Sequence, residues 1–322
     1  MIARSPRPHS AVFVGVLAVL ITACASEKGR QQLPFERTLQ RTRIALKAAA
    51  DADSLAAAAE ISAWPAGRDA RRLTLLTRAA ALAPTRADLL WLQLETCAQV
   101  RTCDPKPIAT SLHALDPGNG AAWALLLNRA ARLGDTKAAV KYLTEIGDCT
   151  RFDLYWNTSI VHLTKAVIKA HTMDVNAPLT TVIGDEAALA IPAYINIFSA
   201  CEAPALGEPG RLSTCRDISS VMRSGDTYIS EMIGIAIAKR VWSANSTEYA
   251  DAASRQRVER YRMHTAAGIT LAALHTDADA TTYLQLLGKH RTEQGAALEL
   301  ITSAGENPNP PSDFDESLPR HF

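Results

Sequence analysis

Aromatic residues are scarce in this chain of 322 residues, at 6%. Charge of either sign is never in surplus: 34 Lys+Arg against 33 Asp+Glu leave a formal net charge of +1. The first shortage argues against a sheet-rich core, because pleated sheets favour aromatic and β-branched side chains. The second excludes a broad basic field of the kind that holds nucleic acid. No polybasic stretch points to anionic lipid headgroups. Catalytic signatures are missing as well. There is no Gly-x-Ser-x-Gly elbow and no Ser-x-x-Lys pair, nor a His-Glu-x-x-His, P-loop or Gly-x-Gly-x-x-Gly pattern.

What the chain has in quantity is alanine: 57 residues, about 18%. Alanine loses no side-chain entropy in a helix and is the best helix former. With 48% hydrophobic and 21% charged residues, the composition is that of a globular protein. The length is ample for one or two domains with a buried core. The expected class is all-α.

The N-terminus carries an address. Arg4 and Arg7 precede an uninterrupted apolar run from Ala11 to Leu20, followed by Ile21, Thr22, Ala23 and Cys24. That run is too short to span a hydrocarbon core of about 30 Å, which takes roughly 20 apolar residues. Residues 1–23 therefore read as a secretory signal and stay outside the fold. Ile21-Thr22-Ala23-Cys24 resembles the bacterial lipobox. The resemblance implies that the Cys24 thiol receives a diacylglyceryl group. Cleavage would leave Cys24 as an acylated N-terminus, with palmitate-like chains holding a tether over residues 24–34. Several such chains anchor firmly, at about 0.8 kcal/mol per buried methylene. Ala25 follows Cys24, where Asp would favour inner-membrane retention in enteric lipoproteins. The resemblance thus implies the outer membrane, with the body facing the periplasm. Loss of Arg4 and Arg7 takes the formal charge from +1 to −1, so the lipid alone makes the membrane contact.

Five cysteines remain, in a compartment that permits disulfides. Cys97 and Cys103 flank the turn-like Arg101-Thr102, and Cys201 and Cys215 bracket a loop holding Pro204, Gly207, Pro209 and Gly210. Each pair reads as a bridge pinning helix ends, although spacing alone does not prove connectivity. Cys149 is left over and reads as a buried, inert thiol. The nearest histidine in sequence, His162, is no evidence of a catalytic base. A zinc site from Cys97, Cys103 and His113 lacks the usual close pairing of ligands.

The middle of the chain repeats. Trp91, Trp123 and Trp156 recur at intervals of 32 and 33, and Leu82-Ala83-Pro84 returns as Leu115-Asp116-Pro117. After Trp123 come Leu126, Ala130, Gly134-Asp135, Ala139 and Tyr142, a helix, a glycine turn and a second helix. This pattern resembles the tetratricopeptide (TPR) family of helical hairpins. Trp123 matches the large residue early in the first helix, Leu126 and Ala139 the packing positions, and Gly134 the turn. Leu127 and Ala130 depart from the family's small residue and tyrosine, and only residues 84–150 match well. The resemblance implies a TPR-like α-solenoid over residues 35–170, continuing into a C-terminal helical region over 171–304.

Helical periodicity predicts further elements. Phe35, Leu39, Thr42 and Leu46 share a face. Helices are expected over Arg71–Ala83, Phe152–Ala170, Asp185–Ala200 with a kink or split at Pro192, Asp226–Val241, Thr247–Leu274 and Asp277–Thr302. A break is expected over His171–Pro178, and the proline-rich tail over residues 305–322 reads as extended or disordered. The charged run Arg255, Arg257, Glu259, Arg260 and Arg262 reads as a solvated face, with an acidic partner as the sharper alternative. His275, Asp277, Asp279, His290 and Glu293 read as helix-capping and solvated residues rather than metal ligands. The chain is also similar to uncharacterised periplasmic helical proteins in which a bracketed Cys pair precedes a stretch like Met222–Thr227.

The leading functional expectation is a non-enzymatic, membrane-anchored periplasmic scaffold or adaptor that binds an envelope protein. No cofactor, metal or small-molecule substrate is expected. An immunity lipoprotein neutralising a periplasm-acting toxin is the second expectation, and a hydrolase with an unrecognised site is the third.

Overall fold

A computed structural model describes residues 28–61, 69–170, 175–274 and 276–314. The chain divides into two units, residues 1–41 with 317–322, and residues 42–316. Of the first unit, only the helical segment 28–41 is described. The lipobox, the signal segment and most of the tether lie outside the described residues.

The described residues form fifteen helices and no strand. They are α1 (Lys28–Ala49), α2 (Ala52–Glu60), α3 (Asp69–Leu82), α4 (Ala87–Gln99), α5 (Lys106–Leu115), α6 (Ala121–Leu133), α7 (Thr136–Gly147) and α8 (Trp156–Ala170). There follow α9 (Asn176–Ala200), α10 (Ala203–Leu206), α11 (Arg211–Arg223), α12 (Tyr228–Val241), α13 (Thr247–Ala273), α14 (Asp277–Lys289) and α15 (Glu293–Ser303). The all-α class expected from the alanine content is the class observed.

Local chemistry sets the boundaries. Asp51 caps α2 by accepting from the Ser54 N–H at 2.8 Å. Gly134 ends α6 in the left-handed region, φ 69°, with no atom within 4 Å of where a Cβ would stand. It is a glycine C-cap, and Asp135 at once caps α7 through the Ala138 N–H at 2.9 Å. Thr227 and Ser230 make a reciprocal capping box at the start of α12.

Helices α2 to α7 pack pairwise in chain order, and α4 also touches α6. The short connections make neighbours antiparallel. Helix α8 leaves this order: it packs against α2, α9 and α14, while α7 packs against α11. Helix α9 lies against α6 as well as α8, and α11 to α15 build the rest through the α11–α12, α12–α13 and α13–α15 contacts. One continuous apolar cluster joins Leu55, Trp91, Leu112, Leu127, Phe152 and Ile237.

Several boundaries differ from the expected ones. Residues 152–155 are not helical, because the Asp153 N–H bonds to the Asn119 side-chain carbonyl and the Leu154 N–H to the Asp226 carboxylate instead of to a preceding turn. Helix α9 starts at Asn176, inside the expected break, with Pro178 in the first turn, where a missing N–H costs nothing. It runs through Pro192 as one helix. The expected final helix is two, α14 and α15, because Thr292 caps a fresh start through the Gly295 N–H.

The tail also has a definite course as far as Phe314. Arg257 Nη2 donates to the Pro311 and Ser312 carbonyls at 2.6 and 3.1 Å, and Arg262 Nε to the Pro308 carbonyl at 3.1 Å. Paired carbonyls and ring contact supply the order that proline-rich composition alone did not promise. The rest of the tail lies outside the described residues.

Candidate functional site

Two groupings of polar and aromatic side chains stand out. The first is a buried junction of four connecting segments. It centres on the loop between α11 and α12, within the Met222–Thr227 stretch. Asp226 is buried, and its two carboxylate oxygens accept the Leu154 and Trp156 N–H groups, both at 2.9 Å. Its carbonyl accepts the Glu293 N–H at 2.8 Å, and the Glu293 carboxylate accepts the Tyr228 N–H at 2.8 Å. Asp226 thereby caps α8, and Glu293 binds the start of α12 to α15.

The same junction reaches the repeat region. Asn119 donates to the Asp153 carbonyl at 2.8 Å and accepts the Asp153 N–H at 2.9 Å. The Asp153 carboxylate takes Arg151 Nε at 2.8 Å and Arg291 Nη1 at 2.6 Å. Tyr155 holds a left-handed backbone, φ 60°, uncommon for an aromatic residue. Its hydroxyl donates to Asp116 at 2.8 Å and receives Asn119 Nδ2 at 3.1 Å, which fixes that conformation. Gly225 is required by close approach: a Cβ there would lie 2.2 Å from Ser230 Oγ and 2.7 Å from the Phe152 carbonyl.

Burial raises the carboxyl groups of this junction. Asp226 is pushed up to about 7 by burial and by Asp153, against the two backbone N–H groups and Arg291. Glu293 is pushed up to about 7 by burial, against the Tyr228 N–H. Perturbed carboxyls attract attention as acid–base candidates. Here the acceptor oxygens are engaged by backbone, and what the arrangement does is fasten loops together.

The second grouping is aromatic and lies on the hairpins α5–α7. Trp123 packs 4.8 Å from His113 and 6.2 Å from Tyr142, centroid to centroid, with the Trp123 and Tyr142 planes 13° from parallel. All three rings are half-buried. The Trp123 indole N–H and His113 Nδ1 are covered and have no hydrogen-bond partner. Each such group costs about 1–3 kcal/mol. Burial raises the Tyr142 hydroxyl, and Asp104, Asp135 and Glu145 raise it further. The rings thus stand in an acidic neighbourhood. Aromatic faces with negative charge beside them suit a cation.

No protein-family model, curated protein or solved structure matches this chain.

The remaining sequence-selected residues fall as follows. Cys97 is bonded to Cys103, and Cys201 to Cys215, with Cα–Cα distances of 5.4 and 5.7 Å. Trp91 is fully buried in α4 and Leu126 buried in α6. Ala139 and Trp156 are half-buried. Gly134 is the α6 cap described above, and Cys24 lies outside the described residues. Cys149 is a free, half-buried thiol whose Sγ lies 3.2 Å from the Glu145 carbonyl. Burial first, then Glu145 and Asp148, push it up to about 11.

Thr276, rather than Asp277 or Asp279, caps α14 through the Asp279 N–H. Asp277 accepts the Asn176 N–H at 3.0 Å. His290 pairs with Glu299 at 2.6 Å instead of standing in solvent, and His275 lies outside the described residues. Among the described residues, no group of three or more His, Cys, Asp or Glu side chains is placed to hold a metal ion. The Arg255–Arg262 run is turned to internal contacts: Arg255 reaches Glu231, and Arg257 and Arg262 reach the tail.

Sequence reasoning missed Asp153, Asp226, Arg291 and Tyr155. One signal for the first was present: Asn119 and Asp153 stand 34 apart, close to the repeat interval of 32 to 33.

Proposed function

We propose that this chain is a lipid-tethered, non-enzymatic interaction module of the bacterial envelope, anchored through Cys24 to the outer membrane and facing the periplasm. The single observation that carries the interaction reading is the half-exposed His113–Trp123–Tyr142 cluster in its acidic neighbourhood. Aromatic side chains are enriched where proteins bind one another, and hot spots form around them. The partner suited to this cluster is a protein that presents Lys or Arg side chains.

The TPR-like reading is part of this proposal and is confined to α4–α7. Those helices are two consecutive hairpins, Gly134 turns the second, and Trp123 and Tyr142 come from its two arms. Helix α8, which bears the third repeat tryptophan, packs mainly on α2, α9 and α14, touches the array at α4, and is left out of it. Helix α9 covers part of α6, so the proposed binding surface is the aromatic cluster and not a continuous concave groove.

The test is crosslinking of the full-length protein in its native envelope, with partners identified by mass spectrometry. Wild type is expected to give one reproducible envelope partner, lost in Trp123→Ala and weakened in the unanchored Cys24→Ala. An adduct pattern identical in Trp123→Ala and wild type overturns the proposed surface.

A further inference from the structure

The chain's own proline-rich tail is held against helix α13 by two arginines and an aromatic ring. Helix α15 ends at Ser303, and Gly305 adopts φ 77°, with its N–H bonded to the Thr302 carbonyl at 3.1 Å. From there the tail crosses to α13. Arg262 Nε holds the Pro308 carbonyl, and Arg257 Nη2 holds the carbonyls of Pro311, Ser312 and Phe314 at 2.6, 3.1 and 3.4 Å. The Phe314 N–H closes a turn on the Pro311 carbonyl at 3.1 Å. The Phe314 ring meets Tyr261 edge-on, centroids 5.3 Å apart at 81°, and lies 5.9 Å from the Arg257 guanidinium.

This recognition is selective in one respect and indifferent in another. It reads main-chain carbonyls displayed by a turn and one aromatic ring. Prolines fix φ near −65° and lower the entropy lost on binding. Ser312 and Asp313, between the last proline and the ring, are exposed. The tail is therefore one sequence among many that satisfy the same contacts. Among the described residues, the arginine donors named above lie on one helix and their acceptors on one short segment beyond Gly305, outside α15.

We infer that Arg257, Tyr261 and Arg262 form a docking surface for a partner protein's proline-initiated turn ending in an aromatic residue, Pro-x-x-aromatic, and that residues 308–314 plug it in cis. This surface lies on a different element from the α5–α7 cluster and does not depend on it. A tethered plug acts at an effective concentration of about 1 mM for a short flexible linker. Loosening the plug should therefore unmask binding in trans.

The probe is a fluorescent peptide of residues 306–318, titrated into full-length protein and followed by anisotropy. A second peptide keeps only Pro308, Pro310, Pro311 and Phe314 and replaces the other side chains with Ser. The expected result is that Phe314→Ala protein binds both peptides at least about tenfold tighter than wild type, the gain that a plug at about 1 mM effective concentration gives for a segment of Kd about 0.1 mM or tighter. Adding Arg257→Ala and Arg262→Ala should abolish that gain, with helical circular dichroism unchanged. Equal binding by wild type and Phe314→Ala overturns the inference, as does binding that survives loss of both arginines. Binding of the native peptide but not the second peptide overturns the partner reading. So does a concentration-dependent dimer lost in Phe314→Ala, which would assign the surface to the tail of a second copy.

Discussion

Replacing Glu95 by Gln should make the protein more stable in alkali and leave it nearly unchanged in acid. Glu95 is 3% exposed on α4, and its Oε1 has no hydrogen-bond partner. The one nearby cation, among the groups that act on it, is Arg72, which is already bonded to Glu60 at 2.6 Å. Burial pushes Glu95 from an ordinary 4.5 up to about 8, Glu60 adds to the rise, and Arg72 opposes it. A folded-state pKa above the unfolded one means that the folded protein binds the extra proton. That contribution is complete below pH 4.5 and is lost as pH rises to about 8. At about 1.36 kcal/mol per pH unit, the whole interval sets a ceiling of about 5 kcal/mol. Relaxation around a buried charge reduces this, and we expect about 2–4 kcal/mol.

The assay is urea denaturation of wild type and Glu95→Gln at several values between pH 5 and pH 8.5. Wild type should lose about 2–4 kcal/mol more than the variant across that range. Gln keeps the volume and removes the ionisation, so the two proteins should differ by less than about 1 kcal/mol at pH 5. Asp226, Glu259 and Glu293, raised as well, titrate in both proteins and cancel in the comparison, and Glu60, whose charge acts on Glu95, keeps its Arg72 partner in both. Parallel pH profiles would refute the argument, since they would show that Glu95 ionises in the fold at no cost.

Other consequences of the structure are equally measurable. Gly225→Ala places a methyl 2.2 Å from Ser230 Oγ and should cost about 1–3 kcal/mol in chemical denaturation, and no loss would contradict the packing of the junction. Asp226→Asn leaves one of two buried N–H groups facing a donor, and should lower stability by about 1–3 kcal/mol at neutral pH. Replacing Cys201 and Cys215 by Ser opens a loop of sequence separation 14 and should cost about 3 kcal/mol, read as a lower urea midpoint. Cys149, its thiol raised to about 11, should react with iodoacetamide at pH 7.5 far more slowly than free glutathione, and a fast reaction would show a thiolate that the burial argument excludes.

The helical class was legible because it rests on a bulk property, the abundance of alanine with few aromatic residues. The second hairpin was legible because Gly134 and Asp135 carry their caps locally, within three residues of each other and of the N–H groups they govern. Both cysteine pairs were legible for a similar reason: short separations across turn residues. Long-range chemistry was not. Asp226 bonds to residues 70 and 72 positions away, and Arg291 reaches Asp153 across 138. Nothing in a periodicity reveals such partners, and residues 152–155 carry a helical pattern although Asn119 and Asp226 take the Asp153 and Leu154 N–H groups out of any helix. The Arg255–Arg262 run misled for a related reason. Alternating charge on a helix usually faces water, but here the proline-rich tail supplies carbonyl acceptors for Arg257 and Arg262.

The proposed docking site for a partner is the His113–Trp123–Tyr142 cluster. The most direct measurement places a photo-crosslinking amino acid at Lys141, an exposed neighbour of Tyr142, in the full-length protein in its own cells. One dominant adduct with a basic envelope protein is expected, reduced at least about tenfold by Trp123→Ala, the scale of a hot-spot truncation of roughly 1.4 kcal/mol or more. An adduct of equal yield with and without the Trp123 ring, or none in either protein, would contradict it.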